Sequence, residues 1–330
     1  RFMLQPNYVN LTPDIVIQAI ESLGLVSDAR IFALNSYENR VYQVGIDEQT
    51  PIIAKFYRPL RWTDEQIIEE HQFAQLLADL DLPVIPPTKD FNGNTLHLFS
   101  GYRFSIFPRQ GGQAPEADDF DQIYRLGRLI GRIHKAGSAE PFLHRPNISV
   151  KSYGIEPATL LLEQGFIPSH QTKEFEHVIE LLTTKCASAF AQTDKLKWIR
   201  SHGDCHVGNI LWNRDSGPWF VDFDDCRTAP AVQDLWMLLS GDRQNQGQQI
   251  SEIIEGYQEF HDFNLSELQL IEPLRTLRII HYAGWLAKRW SDPAFPLCFP
   301  WFNTESYWQQ FLAELHDQNN ALDLPTLSTY

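Results

Sequence analysis

Residues 202–225, HGDCHVGNILWNRDSGPWFVDFDD, constrain this chain more than any other stretch. The apolar ILW after Asn209 and the WFV before Asp222 read as two short strands, and the polar Asn213-Arg214-Asp215-Ser216-Gly217 between them reads as a hairpin loop. Such a hairpin returns Asp222 beside Asn209. Asp204 precedes Asn209 by five residues, so an aspartate, an asparagine and a second aspartate are held close along one short piece of chain.

Those residue types are what phosphoryl transfer from MgATP needs, because that reaction leaves the protein little covalent chemistry beyond positioning and charge neutralisation. Asp204 is the candidate catalytic base for an acceptor hydroxyl. Asn209 offers a neutral oxygen and Asp222 an anionic one, a hard-donor pair suited to magnesium, and Asp222 thereby also acts in catalysis. Asp224 and Asp225 are near enough to assist. The competing reading makes these ordinary turn residues, and a single HxD carries almost no weight. It is the coincidence of several constraints that favours the site. His202 reads as a structural loop histidine, and His206 as either a substrate contact or satisfied loop packing.

HGDCHVGN with VDFDD resembles the motif of the aminoglycoside phosphotransferase and choline kinase superfamily. LNSYENRVYQV, AKFYRPLRW, EEHQFA, HGDCHVGNILW, PAVQDLWMLL and DPAFP together resemble the YihE/RdoA family of bacterial stress response kinases, from about residue 10 to the C-terminus. The resemblance implies an α+β, bilobal protein-kinase-like fold, with a small antiparallel-sheet N-lobe carrying one long helix and a larger, mainly helical C-lobe. It also implies ATP and Mg2+ as co-substrate and cofactor, Ser/Thr of proteins as acceptors, autophosphorylation included, and a stress-protective role.

Composition agrees with two globular lobes: 330 residues are 43% hydrophobic and 12% aromatic. A net charge of -15 opposes binding to nucleic acid or to an anionic membrane, both of which need basic patches. No apolar stretch approaches the roughly 18 residues of a membrane span, and no basic-then-apolar leader is seen, so a cytoplasmic enzyme, taken as a monomer, is expected. Cys186, Cys205, Cys226 and Cys298 lack CxxC spacing, which argues for reduced thiols over a zinc site or a disulfide framework. Cys205 and Cys226 flank the candidate site, where a thiol reagent would crowd it.

Thr12-Pro13-Asp14 opens a helical pattern through about Leu23, with Thr12 as N-cap. Strands are expected at 29–35, 39–46 and 51–57, a helix at 63–80, and a hairpin over 94–107 turning at Ser100-Gly101. The N-lobe is then 1–107 and the C-lobe 108–330, with a hinge at about 106–112. Lys55 interrupts the apolar strand PIIAKFY. A buried lysine needs an anion, so the nucleotide α- and β-phosphates explain it, as would an outward position on an edge strand. The resemblance implies a helix glutamate partner for Lys55, and Glu70 is chosen over Glu69 because Phe73 and Leu77 follow at helical spacing.

The turn at 35–40 contains no glycine, so a GxGxxG loop is absent. Ser36 and backbone amides there would cap a phosphate, as the resemblance favours, or form a plain polar hairpin. Ile106-Phe107-Pro108-Arg109 is the expected adenine-binding connector, acting through its backbone. In LGRLIGRIHKAG, Gly127 and Gly131 at helical spacing point to a closely packed core helix on which His134 is structural. Asp234 reads as a helix N-cap, or, as the resemblance implies, as the brace of the catalytic loop. The interval from Asp222 to Asp234 is too short for the long activation segment of eukaryotic-type protein kinases. Acceptor candidates therefore lie along Arg275, Arg278, His281, Tyr282, Trp285 and Trp290, although that spacing favours lobe core for most of them. Besides the Ser/Thr kinase, two readings stay open. One is a small-molecule hydroxyl kinase of aminoglycoside, homoserine or choline type, and the other a nucleotide-binding scaffold without activity.

Overall fold

The computed structural model describes residues 4–329, which divide into two compact units. The first comprises the chain up to Pro115, the segment Phe142–Arg145 and the segment His206–Cys226. Its helix α1 (Pro13–Glu21) begins as its local chemistry dictates: the Thr12 side chain accepts the Ile15 N–H and proline fills the first helical position, where its missing N–H costs nothing. Five strands follow, β1 (Ser27–Ala33), β2 (Arg40–Ile46), β3 (Ile52–Phe56), β4 (His97–Phe99) and β5 (Tyr102–Pro108), in the antiparallel order β1-β2-β3-β5-β4. β1 starts at Ser27, ahead of the expected 29, because an irregularity in its pairing with β2 takes up Ala29 at φ +66°. The β4–β5 turn falls at Ser100-Gly101, both at positive φ, as a two-residue hairpin turn requires.

Between β3 and β4 lies α2 (Asp64–Asp79), opened by a capping box in which Thr63 and Gln66 satisfy each other's backbone N–H. The apolar face of α1, Val16, Ala19 and Ile20, packs with Val44, Ile46, Ala54, Phe56, Phe104 and Ile106 of the sheet. Each large side chain so buried contributes about 1.5–3 kcal/mol, which fixes β3 and with it Lys55. The expected second hairpin forms from Ile210–Asn213 and Gly217–Phe220. Isolated pairings of Val84 with Phe220 and Gln113 with Trp212 fasten it within this unit.

The second unit comprises Glu116–Pro141, Pro146–Cys205 and the chain from Arg227 onward. It is helical: α3 (Phe120–Gly137), α4 (Glu156–Glu163), α5 (Thr172–Gln192), α6 (Gln233–Trp236), α7 (Arg243–Tyr257), α8 (Ile271–Lys288), α9 (Ala294–Cys298) and α10 (Glu305–Ala321), with a two-stranded ladder pairing Ile199–Ser201 with Arg227–Ala229. Gly127 and Gly131 of α3 lie where any Cβ would run into the backbone carbonyls of Ile253 and Tyr257, so α3 and α7 touch main chain to main chain. One of its buried apolar clusters joins Leu161, Phe175, Leu182, Ile280, Leu286, Phe295 and Trp308. Among the described residues no helix is long and apolar enough to cross a membrane.

Candidate active site

In the helical unit, the loop that carries Asp204 leaves the strand Ile199–Ser201 and is held by its backbone. Asp234 accepts the His202 N–H on Oδ2 at 2.8 Å and the Gly203 N–H on Oδ1 at 2.9 Å. Gln233 donates its Nε2–H to the Gly203 carbonyl at 2.8 Å. Gly203 sits at φ +87°, a conformation glycine adopts without a Cβ penalty. The same Asp234 Oδ2 meets His134 Nε2 at 2.8 Å, and His134 Nδ1 meets the Tyr257 hydroxyl at 2.8 Å. Burial pushes the Tyr257 hydroxyl well up, so it keeps its proton in that contact. Burial alone would raise the Asp234 carboxyl; the His134 hydrogen bond and charge, His202 and the Gly203 N–H outweigh it and hold the group below its ordinary value. Asp234 is thus no N-cap. It braces the loop, and His134 serves that brace.

Asp204 itself is 27% exposed and meets Arg278 Nη2 of α8 at 3.4 Å. The His202 ring accepts the Asp204 N–H at 3.3 Å, which ties the aspartate's backbone to the loop.

In the sheet-bearing unit, the hairpin does return Asp222 to Asn209: the Val221 N–H donates to the Asn209 carbonyl at 3.0 Å. Asn209 closes a one-turn 3-10 helix, Val207–Asn209, started by His206, whose Nδ1 accepts the Gly208 N–H at 3.0 Å and whose Nε2 lies 3.2 Å from Asn209 Nδ2. His206 is therefore loop packing. Asp222 is left-handed, φ +59° and ψ +67°, a conformation aspartate tolerates better than most side chains, and its carboxylate is 52% exposed. Lys55 reaches it from β3, Nζ to Oδ1 at 3.4 Å. An amide and a carboxylate fit a small hard cation that takes few protein ligands and completes its shell with phosphate and water. Among the described residues no three His, Cys, Asp or Glu side chains converge as a separate metal site.

Lys55 is not on an outward edge: its strand lies between β2 and β5. Burial would lower its ammonium, but Asp222, Asp224 and Glu70 hold it well above its ordinary value. Glu70 is buried and acts on Lys55 through the field, while its Oε2 lies 3.5 Å from Nε2 of His71, a ring that burial keeps neutral. Burial pushes the Glu70 carboxyl up to about 7 despite the pull of Lys55 and Arg145, and the negative charges of Asp224 and Asp222 add to the rise. Glu69 has separate work, accepting the N–H groups of Leu143, His144 and Arg145 at 2.7, 3.0 and 2.8 Å.

Asp224 and Asp225 each already give one carboxylate oxygen to an arginine, and Asp224 Oδ1 is buried without a hydrogen-bond partner among the described residues. Both hydrogen-bond the Arg61 guanidinium, while Arg61 Nε also lies 3.4 Å from Glu38 Oε1. Arg145 holds the same segment by its backbone, Nη2 to the Asp224 carbonyl at 2.6 Å and Nε to the Cys226 carbonyl at 2.8 Å. Glu38 belongs to the turn that contains Ser36, and Arg58 fixes that turn through the carbonyls of Glu38 and Tyr37 at 2.7 and 2.8 Å. Ser36 is half-buried there. Ile106 is buried in β5 with its carbonyl accepting the Thr88 N–H at 2.8 Å, and Pro108 ends that strand opposite Ile52. Arg61 and Arg145 escaped the sequence reading as site residues, because nothing local marks an arginine whose partners lie far along the chain; Arg278, among the acceptor candidates, does lie beside Asp204.

A five-stranded antiparallel sheet with one long helix, and a helical unit that braces an HGD loop on a buried aspartate, define a protein-kinase-like phosphotransferase. The chain belongs to the phosphotransferase enzyme family, whose model matches residues 30–271. It is 45% identical over 320 residues to stress response kinase A of Escherichia coli K12, covering 97% of this chain and 96% of that one. It is 44% identical, over the same shares, to the serine/threonine protein kinase RdoA of Salmonella typhimurium LT2. Among solved structures it resembles the amicoumacin kinase hAmiN, in complex with AMP-PNP, Ca2+ and Ami, at a TM-score of 0.72 and 18% identity over 96% of each chain.

Proposed function

We propose that this phosphotransferase moves the γ-phosphoryl group of ATP to serine or threonine hydroxyls of proteins, its own included, in a bacterial stress response. The observation that carries the reading is the pairing of buried Lys55 with half-exposed Asp222 beside Asn209. A strand lysine and a hard-oxygen pair meet the two demands of a nucleotide, phosphate charge and a divalent cation. Mg2+ held by Asn209 and Asp222 would neutralise phosphate charge. Lys55, backed by Glu70, binds the α- and β-phosphates. Ser36 and its turn cap a phosphate, and the backbone about Ile106 and Pro108 receives adenine. Asp204 takes the acceptor's proton as its oxygen bonds the γ-phosphorus and the bond to the β,γ-bridging oxygen breaks, releasing ADP.

The protein acceptor is supported by relatives of the same length named as stress response and serine/threonine protein kinases. A small-molecule acceptor is the second reading, favoured by the likeness in fold to hAmiN. The scaffold reading has against it that Lys55, Asp204, Asn209 and Asp222 are all present. The test is γ-labelled ATP with the purified protein and a cell lysate, separated into protein and metabolite fractions. Label on protein serine and threonine is expected; label confined to a metabolite overturns the reading.

A further inference from the structure

Arg278 is a poor neighbour for a base. Its side chain, 44% exposed on α8, meets Asp204 Oδ1 through Nη2 at 3.4 Å. A guanidinium stays charged and stabilises the ionised carboxylate, which makes that carboxylate less ready to take a proton. It also occupies a lone pair that an acceptor hydroxyl needs. The next arginine on the helix, Arg275, is engaged elsewhere: its Nε lies 3.5 Å from Glu272, its Nη2 donates to Gln246 at 3.4 Å, and its guanidinium lies over the Trp236 ring. Arg278 has Asp204 for its partner and the rest of its fork toward solvent. Tyr282, one turn further along the same face and exposed, stacks on Trp285 at 5.7 Å between ring centroids.

We propose that Arg278 reads a negative charge on the acceptor, so that the hydroxyl phosphorylated is a serine or threonine with an acidic residue beside it. A carboxylate on the incoming chain offers the guanidinium a two-pronged partner and draws it off Asp204, freeing the oxygen that takes the hydroxyl proton. A cationic acceptor brings nothing to draw Arg278 away and meets its repulsion. Tyr282 gives an aromatic ledge for the neighbouring peptide backbone. The inference rests on Asp204 as the acceptor's base.

The test uses the full chain, γ-labelled ATP and three peptides that differ only in whether one central serine is flanked by Glu, Ala or Lys, with kanamycin and homoserine as small-molecule arms. The wild type is expected to favour the Glu-flanked peptide over the Lys-flanked one by at least roughly tenfold in kcat/KM. Arg278→Glu should reverse that order, and Arg278→Lys should keep it. Equal use of the three peptides, or an unchanged order in an Arg278→Glu protein with a wild-type circular dichroism spectrum and melting temperature, overturns the charge reading alone. Label on kanamycin or homoserine and on no peptide overturns the protein acceptor itself.

Discussion

Asp234 receives the Gly203 N–H at 2.9 Å on one carboxylate oxygen, while its other oxygen takes the His202 N–H and the His134 ring. A buried carboxylate with three donors is worth most when all three remain, because removing one leaves a charge without its partner. His134→Ala should therefore destabilise the protein by about 3 kcal/mol, measured by urea unfolding, although it lies on the core helix α3. Asp234→Asn should cost a similar amount and misplace the loop. The carboxyl is held below its ordinary value when folded, so its contribution is full above the unfolded value of about 4 and is lost as pH falls through the lower folded value. Asp234→Asn should thus lose less stability, relative to wild type, at pH 3 than at pH 7, and an equal loss at both would refute the brace.

Asp204 and Asp222 should separate kinetically. Asp204→Asn removes the proposed base and little phosphate affinity, so transfer should fall by about 10^2- to 10^4-fold while the rise in melting temperature with MgATP persists. Asp222→Ala removes the partner of Lys55 and an oxygen donor, so the same thermal shift should shrink. Undiminished transfer by the first variant, or an unchanged MgATP shift in the second, contradicts the assigned roles.

Local chemistry made much of this legible in advance. Thr12-Pro13, the turn at Ser100-Gly101 and the polar loop at 213–217 act within a few residues of chain, and α1 and both hairpins form as their residues dictate. Gly127 and Gly131 announced a close helix contact, but their partners, the carbonyls of Ile253 and Tyr257, are far along the chain and carry no side-chain signal. Long-range charge pairs were the least legible. Asp224 and Asp225 look like spare metal ligands beside Asp222, and only the fold brings Arg61 onto one oxygen of each.

The thiols follow the same lesson. Nearness in sequence set Cys205 and Cys226 at the site as targets for reagents, yet both are buried along with Cys186, and Cys298 is the exposed one. Burial, with the charges of Asp234 and Asp204, holds the Cys205 thiol protonated, and burial pushes Cys186 up to about 12. A thiolate-trapping reagent should therefore modify one cysteine quickly in the native protein, Cys298, without loss of phosphoryl transfer. Fast inhibition that maps to Cys205 by mass spectrometry would show that the loop opens.

Glu70 is where pH should act on the sheet-bearing unit. Its carboxyl is raised to about 7 by burial, with the charges of Asp224 and Asp222 adding to the rise and Lys55 opposing it, against an ordinary value near 4.3. The folded protein therefore holds a proton that the unfolded chain has released, so this contribution to stability is full below about pH 4 and disappears as pH rises through 7. Glu70→Gln is neutral throughout and should escape the loss. Relative to wild type, its unfolding free energy should improve by about 2–4 kcal/mol between pH 5 and pH 8, measured by urea denaturation at each pH. An offset between the two proteins that stays constant across that range would mean that Glu70 remains ionised beside Lys55 and that the ammonium neutralises all three carboxylates at once.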